Sequence, residues 1–150
     1  DEIFALARDL YLEDEPAIAN ANVREKLAAW YVKQQGLKLT RYRTITALSR
    51  GDEPGPEASI TKVVGGKTHQ EIANFGMELM DMASIMLNDE VMPMRALFQE
   101  ALLSSPGGRI AGGSDEILRN IIAERVLGLP ADIRVDKDVP FNQLPTGRRE

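Results

Sequence analysis

Residues 109–130 read RIAGGSDEILRNIIAERVLGLP, two glycines opening directly into an apolar helix. Ser114 is a good N-cap, its hydroxyl placed to accept from a free backbone N–H of the first turn. Asp115 and Glu116 then complement the positive end of the helix dipole. The pattern predicts a helix from about Ser114 to Gly128, with Pro130 barring continuation. Ile117, Leu118, Ile121, Ile122, Val126 and Leu127 follow at helical spacing, so most of the circumference is apolar and the helix is expected to be surrounded by protein. Gly112 and Gly113 allow the backbone before the cap to approach another surface closely. A flexible turn before a core helix is the simpler reading of the same two glycines.

Upstream of this stretch the chain reads as further helices. The opening Ile3, Phe4, Leu6, Ala7, Leu10 and Tyr11 predict a helix to about Leu12, as though a longer one had been cut, and Glu13-Asp14-Glu15-Pro16 form an acidic turn. A second helix is expected from Pro16 or Asn20 to Arg50, with Val23, Leu27, Trp30, Leu37 and Leu48 on one stripe and Tyr31, Tyr42 and Ile45 beside it. Lys33, Lys38, Arg41, Arg43 and Arg50 give it a basic bias that a phosphate could face, although a solvated face is the simpler account. Gly51-Asp52-Glu53-Pro54-Gly55-Pro56 then breaks the chain.

A third helix is expected over Glu57 to Leu87, carried by Ile60, Val64, Ile72, Phe75, Leu79, Met82 and Met86. Gly65-Gly66 inside it costs about 1 kcal/mol per residue against alanine, which implies a bend or, as the better explanation, a close neighbour. Asn88 to Pro93 reads as a loop. Met94 to Leu103 reads as a short helix burying Leu97, Phe98, Ala101 and Leu102, and Ser104 to Gly113 as a mobile loop. The tail, residues 131–150, is expected to lie extended on the surface, anchored by Val135, Val139 and Phe141. Together these elements predict an all-α fold, an antiparallel helical bundle in a single domain.

Composition narrows the function. The net charge of −5 and the isoelectric point near 5.0 offer no basic footprint for nucleic acid. With no cysteine there is no disulfide and no thiolate chemistry. No run of about eighteen apolar residues and no signal peptide is present, so a soluble, cytoplasmic domain without a membrane partner is expected. His69, the only histidine, has no triad or metal partner nearby in sequence, and the six methionines read as adaptable core, so no metal is expected. The 150 residues suffice for one domain burying roughly two thirds of its unfolded surface.

The segment Ala111-Gly112-Gly113-Ser114-Asp115-Glu116-Ile117, followed by LRNIIAERVLGLP, resembles the end of the acyl-CoA dehydrogenase family. In that family a segment reading roughly Tyr-Glu-Gly-Thr-Ser-Glu-Ile precedes the last long helix of a C-terminal bundle. The resemblance implies a fragment of a longer flavoprotein subunit, with FAD as cofactor and an acyl-CoA as substrate. It implies oxidation of the Cα–Cβ bond to give an enoyl-CoA, as in β-oxidation of fatty acids or sterol side chains. An electron-transfer flavoprotein or similar acceptor would take the electrons. Assembly into a homo- or hetero-oligomer, a tetramer in the full-length form, is implied as well. By the same resemblance Gly112 and Gly113 would lie against the acyl-CoA, and Ser114, Asp115 and Glu116 at the flavin. The 150-residue chain alone is not expected to retain FAD or to act.

Three departures limit what carries over. Many members place the catalytic glutamate where this chain has Gly112, and glycine cannot take the α-proton, so no catalytic residue is assigned here. In another branch the base sits on the first helix of the bundle, a position upstream of Asp1. A Gln-x-x-Gly-Gly segment that grips the adenosine diphosphate part of the flavin has its best match in Glu78-Leu79-Met80-Asp81-Met82, where carboxylates repel a pyrophosphate and methionine blocks close approach. An Arg-x-x-Phe-Gly loop is replaced by the acidic turn from Glu13 to Asn22. Such losses resemble family members that assemble as heteromers in which only some subunit pairs bind flavin, so a non-catalytic assembly subunit stands as the alternative.

Overall fold

The computed structural model describes residues 1–53, 55–86, 93–131, 133, 136 and 139–144. The fold is all-α. Its helices are α1 (Glu2–Asp9), α2 (Ala21–Ser49), α3 (Ala58–Met80), α4 (Leu97–Ile110) and α5 (Asp115–Ile121), the last continued by a wider π-helical turn over Ile122–Val126. A two-residue antiparallel ladder, β1 (Tyr11–Leu12) with β2 (Glu15–Pro16), closes the acidic turn, so the first helix stops three residues earlier than its apolar pattern suggests.

Side-chain contacts fix the helix directions. Lys26 reaches Glu78, Trp30 and Lys33 reach Glu71, and Arg43 faces Glu57, so α2 and α3 run antiparallel. Phe98 packs on Gly76, whereas Arg109 bonds Gln70, so α3 and α4 are antiparallel too. α3 is the central element, packed against α1, α2, α4 and α5. The core gathers Ile3, Leu6 and Ala7 of α1, Val23, Leu27 and Trp30 of α2, Phe75 and Met80 of α3, and Phe98 of α4. Trp30 and Phe75 meet edge to face with ring centroids 5.3 Å apart, a geometry that aromatic quadrupoles favour.

α2 begins at one of the two sites that its sequence offers. The Asn20 side chain accepts from the backbone N–H groups of Asn22 and Val23, satisfying two of the helix's free donors. Its apolar stripe is only half used: beyond Trp30 the side chains of Tyr42, Ile45 and Leu48 are exposed.

α3 ends sooner than expected, at Met80, and passes into a 3-10 turn over Asp81–Ile85 that leaves Met82 and Met86 exposed. The expected end at Leu87 and the loop from Asn88 to Met92 lie outside the described residues. The expected close neighbour at Gly65-Gly66 is not there, because a Cβ at either position would make only ordinary contacts, 3.8 Å to Leu37 Cδ1 at Gly65. At Gly66 it would stand 3.4 Å from Arg109 Cγ and 3.9 Å from the Gly108 carbonyl oxygen. A far tighter contact occurs at Gly76, where a Cβ would lie 2.4 Å from the Phe98 ring.

The segment from Ser104 to Ile110 is not a mobile loop, because α4 runs through Pro106, Gly107 and Gly108 to Ile110. Proline lacks the N–H that would bond Leu102, and the hydroxyl of buried Ser105 donates to that carbonyl instead, at 2.9 Å. Leu97, expected in the core, is exposed, while Gln99 is buried. In the tail Phe141 and Val139 are both exposed, so neither is buried as an anchor against the described residues, and Val135 lies outside them.

Candidate functional site

The site grows from the turn between α4 and α5. Ala111 ends α4 in an extended conformation, and Gly112 and Gly113 follow at φ +66° and +101°. L-residues rarely adopt either angle, so both glycines are required by the backbone. A Cβ on Gly113 would come within 3.4 Å of Leu118, the buried apolar residue of α5. The two glycines therefore do more than loosen a turn: they let the chain reverse tightly onto α5.

Arg109 and Asp115 bridge the two ends of this turn. The Arg109 Nε donates to Asp115 Oδ2 at 2.8 Å, Nη2 pairs with the same oxygen, and Nη1 donates to Gln70 Oε1 of α3 at 2.8 Å. Asp115 is 3% exposed, and its second carboxylate oxygen is buried with no hydrogen-bond partner. Lys62, also on α3, donates from Nζ to the Gly113 carbonyl, and its Cε would stand 3.9 Å from a Cβ on Gly112. Two side chains of the central helix thus hold the turn from one side.

The predicted site residues are brought together, with altered roles. Ser114 occupies the N-cap position, yet its side chain makes no capping hydrogen bond. The Glu116 carboxyl is held below its ordinary range, first by its own backbone N–H and then by the neighbouring Ser114 hydroxyl. Asp115, expected to complement the helix dipole and to sit at the flavin, is buried on Arg109, whose charge and hydrogen bond make that burial tolerable, while Gln70 accepts from the other side of the same guanidinium. Gln70, Arg109, Ser114, Asp115 and Glu116 line a shallow cleft of about 190 Å³ together with Pro106 and Ile110.

The terminal helix is not enclosed as its pattern suggests. Leu118 is buried, but Ile117, Leu127 and Leu129 are exposed. Gly128 ends it at φ +68°, and the Leu129 N–H returns to the Ala123 carbonyl at 2.9 Å.

The strip from Glu78 to Met82 lies at the far end of α3. Glu78 is exposed, accepting from Asn74 and facing Lys26 at 3.5 Å. Asp81 has φ +46°, a conformation that favours glycine although an aspartate occupies it. The His69 side chain is exposed. Among the described residues, no three His, Cys, Asp or Glu side chains converge as a metal site, and no helix is long and apolar enough to cross a membrane.

Residues 1–127 match the family described as the acyl-CoA dehydrogenase C-terminal domain. The chain belongs to the acyl-CoA dehydrogenase family. It is 32% identical over 130 residues to "Acyl-CoA dehydrogenase IpdE1" of Mycolicibacterium smegmatis, which covers 86% of this chain and 30% of that protein. It is 35% identical over 80 residues to "Acyl-CoA dehydrogenase FadE34" of Mycobacterium tuberculosis, covering 53% of this chain and 10% of the relative. The chain therefore spans under a third of these relatives' lengths. Among solved structures, the ChsE4-ChsE5 complex from Mycobacterium tuberculosis superposes with a TM-score of 0.74 at 25% identity, over 87% of this chain and 34% of the other. A structure described as "Tcur3481-Tcur3483 steroid ACAD" shares the fold, with a TM-score of 0.71 at 23% identity over 87% of this chain and 33% of the other.

Lys62, Gln70 and Arg109 are the site residues that sequence reasoning missed. Arg109 opens the quoted stretch, and its opposite charge to Asp115 across two glycines was the available signal. Lys62 and Gln70 had none, standing 51 residues before Gly113 and 39 before Arg109.

Proposed function

We propose that this chain is the C-terminal helical domain of a longer FAD-dependent acyl-CoA dehydrogenase, which oxidises the Cα–Cβ bond of an acyl-CoA thioester to give an enoyl-CoA. The observation that carries the reading is the segment Ala111 to Ile117, whose left-handed glycine pair opens into α5 where the family places its substrate-facing turn. In this reading Gly112 and Gly113 present bare backbone to the acyl-CoA. Ser114 and Glu116 offer polar groups to the flavin edge, while Asp115, committed to Arg109, shapes the turn from behind.

The residues fit a flavin at one end only. Ser114, Glu116 and the open glycine turn leave room and hydrogen-bonding groups, so this end would hold the ring side of the cofactor. Glu78, Asp81 and Met82 do not suit a pyrophosphate: two carboxylates repel it, although Asp81 keeps a glycine-like backbone. When bound, the flavin supplies the acceptor for the hydride leaving Cβ. The α-proton must go to a base outside this turn, because Gly112 carries none.

That division favours a second reading, in which the chain is a flavin-poor assembly subunit of a heteromeric acyl-CoA dehydrogenase. Exposed apolar side chains on both α2 and the terminal helix support burial against other subunits or domains, in a homo- or hetero-oligomer. A substrate with a steroid side chain is in keeping with the fold shared with a steroid enzyme of the family.

Purifying the full-length protein alone and with its partner subunit separates the two readings. Stoichiometric FAD and acyl-CoA-dependent reduction of an electron acceptor by the lone protein support the enzyme; flavin appearing only in the mixed assembly supports the assembly subunit. Neither flavin nor turnover in either preparation refutes both. The 150-residue chain by itself is expected to retain no FAD.

A further inference from the structure

We propose that Lys62 is a positioning residue for the substrate-facing turn, acting through the Gly113 carbonyl; the proposal rests on the enzyme reading above. Three observations carry it. Lys62 donates to the Gly113 carbonyl from a different helix, across 51 residues of sequence, and is half-buried. Its stem runs beside Gly112, at the contact distance a Cβ there would meet. The turn has no side chains of its own at Gly112 and Gly113 with which to fix the peptide planes, and both residues sit at positive φ.

Each peptide plane in such a turn can rotate at small cost, because glycine reaches left-handed and right-handed regions about equally. The Arg109–Asp115 pair fixes where the turn starts and ends. It leaves the direction of the Gly113 carbonyl unspecified. A charge-assisted hydrogen bond from an ammonium selects one direction, and such bonds are about twice as strong as neutral ones. Lys62 therefore determines which way the backbone between Gly112 and Ser114 faces the space where the thioester would lie. Arg109, Asp115 and Gln70 act on the ends of the turn, so the tasks are separable by mutation.

The test compares Lys62→Met, which keeps the stem and removes the donor, with Lys62→Arg, which restores a cationic donor, in the full-length flavin-loaded protein. Hydrogen exchange of the peptide covering residues 110–117 is read by mass spectrometry, alongside steady-state kinetics with an acyl-CoA. In Lys62→Met, exchange in the turn should speed up by about tenfold, the loss expected for one charge-assisted bond. KM for the acyl-CoA should rise several-fold, with flavin content and melting temperature held. Lys62→Arg should return both quantities to within about twofold of wild type, a rescue that loss of packing alone would not give.

Unchanged exchange in Lys62→Met overturns the proposal, and so does a loosened turn with unchanged KM. If the wild-type protein holds flavin but oxidises no acyl-CoA, the enzyme reading falls, and the exchange data alone still decide whether Lys62 orders the turn.

Discussion

Gly76 faces the Phe98 ring so closely that adding one methyl group reverses the usual effect of a glycine-to-alanine change in a helix. An alanine Cβ at this position would stand 2.4, 2.5 and 2.9 Å from three ring carbons, where ordinary contact begins at about 3.4 Å. The ring must therefore retreat by roughly 1 Å, but Phe98 is buried in the core cluster with Trp30, Phe75 and Met80. Overpacking of this kind costs about 1–3 kcal/mol. Expelling the ring instead forfeits about 1.5–3 kcal/mol of burial. Alanine returns about 1 kcal/mol through helix propensity, so the net expectation is a loss of up to about 2 kcal/mol. Gly36, in the exposed middle of α2, has no atom within 4 Å of its would-be Cβ, and Gly36→Ala should stabilise by about 0.5–1 kcal/mol. Urea unfolding followed by the fluorescence of Trp30, the only tryptophan, measures both variants on one probe. Equal shifts of the same sign in the two variants would refute the packing argument.

Three further predictions follow from the polar groups. Glu71 is held below its ordinary carboxyl range chiefly by Lys33, with the Trp30 indole N–H also bonded to it. A depressed folded-state pKa means its contribution is complete above the unfolded value near 4.5 and is lost as pH falls below that; Glu71→Gln should flatten the acid limb of a stability–pH curve. Removing one partner of the Arg109–Asp115 pair should be asymmetric: Arg109→Met strands a buried carboxylate and should cost about 3 kcal/mol or more, while Asp115→Asn leaves an arginine that water can reach and should cost less. The reverse order in chemical unfolding would contradict the assigned burial. If the full-length protein is an active enzyme with its base on the upstream helix, adding Gly112→Glu to a variant with that base changed to alanine should recover part of the lost turnover, less the strain of about 1–2 kcal/mol at φ +66°. Absence of recovery in a folded, flavin-bearing double variant would mean that Gly112 does not face the α-carbon.

What could be read from the sequence follows the range of the forces involved. The start of α2 after Asn20 comes from residues within a turn of each other, where the capping side chain bonds the N–H groups of Asn22 and Val23. The all-α class follows from apolar spacing. The passage of α4 through Pro106 and two glycines was not readable, because composition there favours a loop. It takes the hydroxyl of Ser105 to bond the orphaned Leu102 carbonyl, and α3 lying alongside, to keep the helix intact. Similarly, Ser114 stands at the N-cap position but its hydroxyl makes no capping bond to the helix, which its residue type alone does not reveal. The burial of Asp115 depends on Arg109 reaching it while Gln70 of α3 holds the same guanidinium, a three-body condition with no local periodicity.

The apolar faces left open carry the same lesson in the opposite direction. Helical periodicity reports that a surface is to be covered, but it cannot say by which chain. The stripe on α2 is buried as far as Trp30 and half-covered by α3 at Leu37, and the rest, with Tyr42, Ile45 and Leu48, is exposed. The terminal helix spends Leu118 on its own domain and leaves Ile117, Leu127 and Leu129 outside. Its glycine turn is held from one side by α3 and by the Arg109–Asp115 pair, while Gly112 remains exposed on the other. Under the proposed function, a turn fixed behind and bare in front would be half of a binding site. In the proposed enzyme the missing half, flavin and thioester included, arrives against that bare backbone, so the rigidity supplied by Lys62 and Arg109 must already exist before it does.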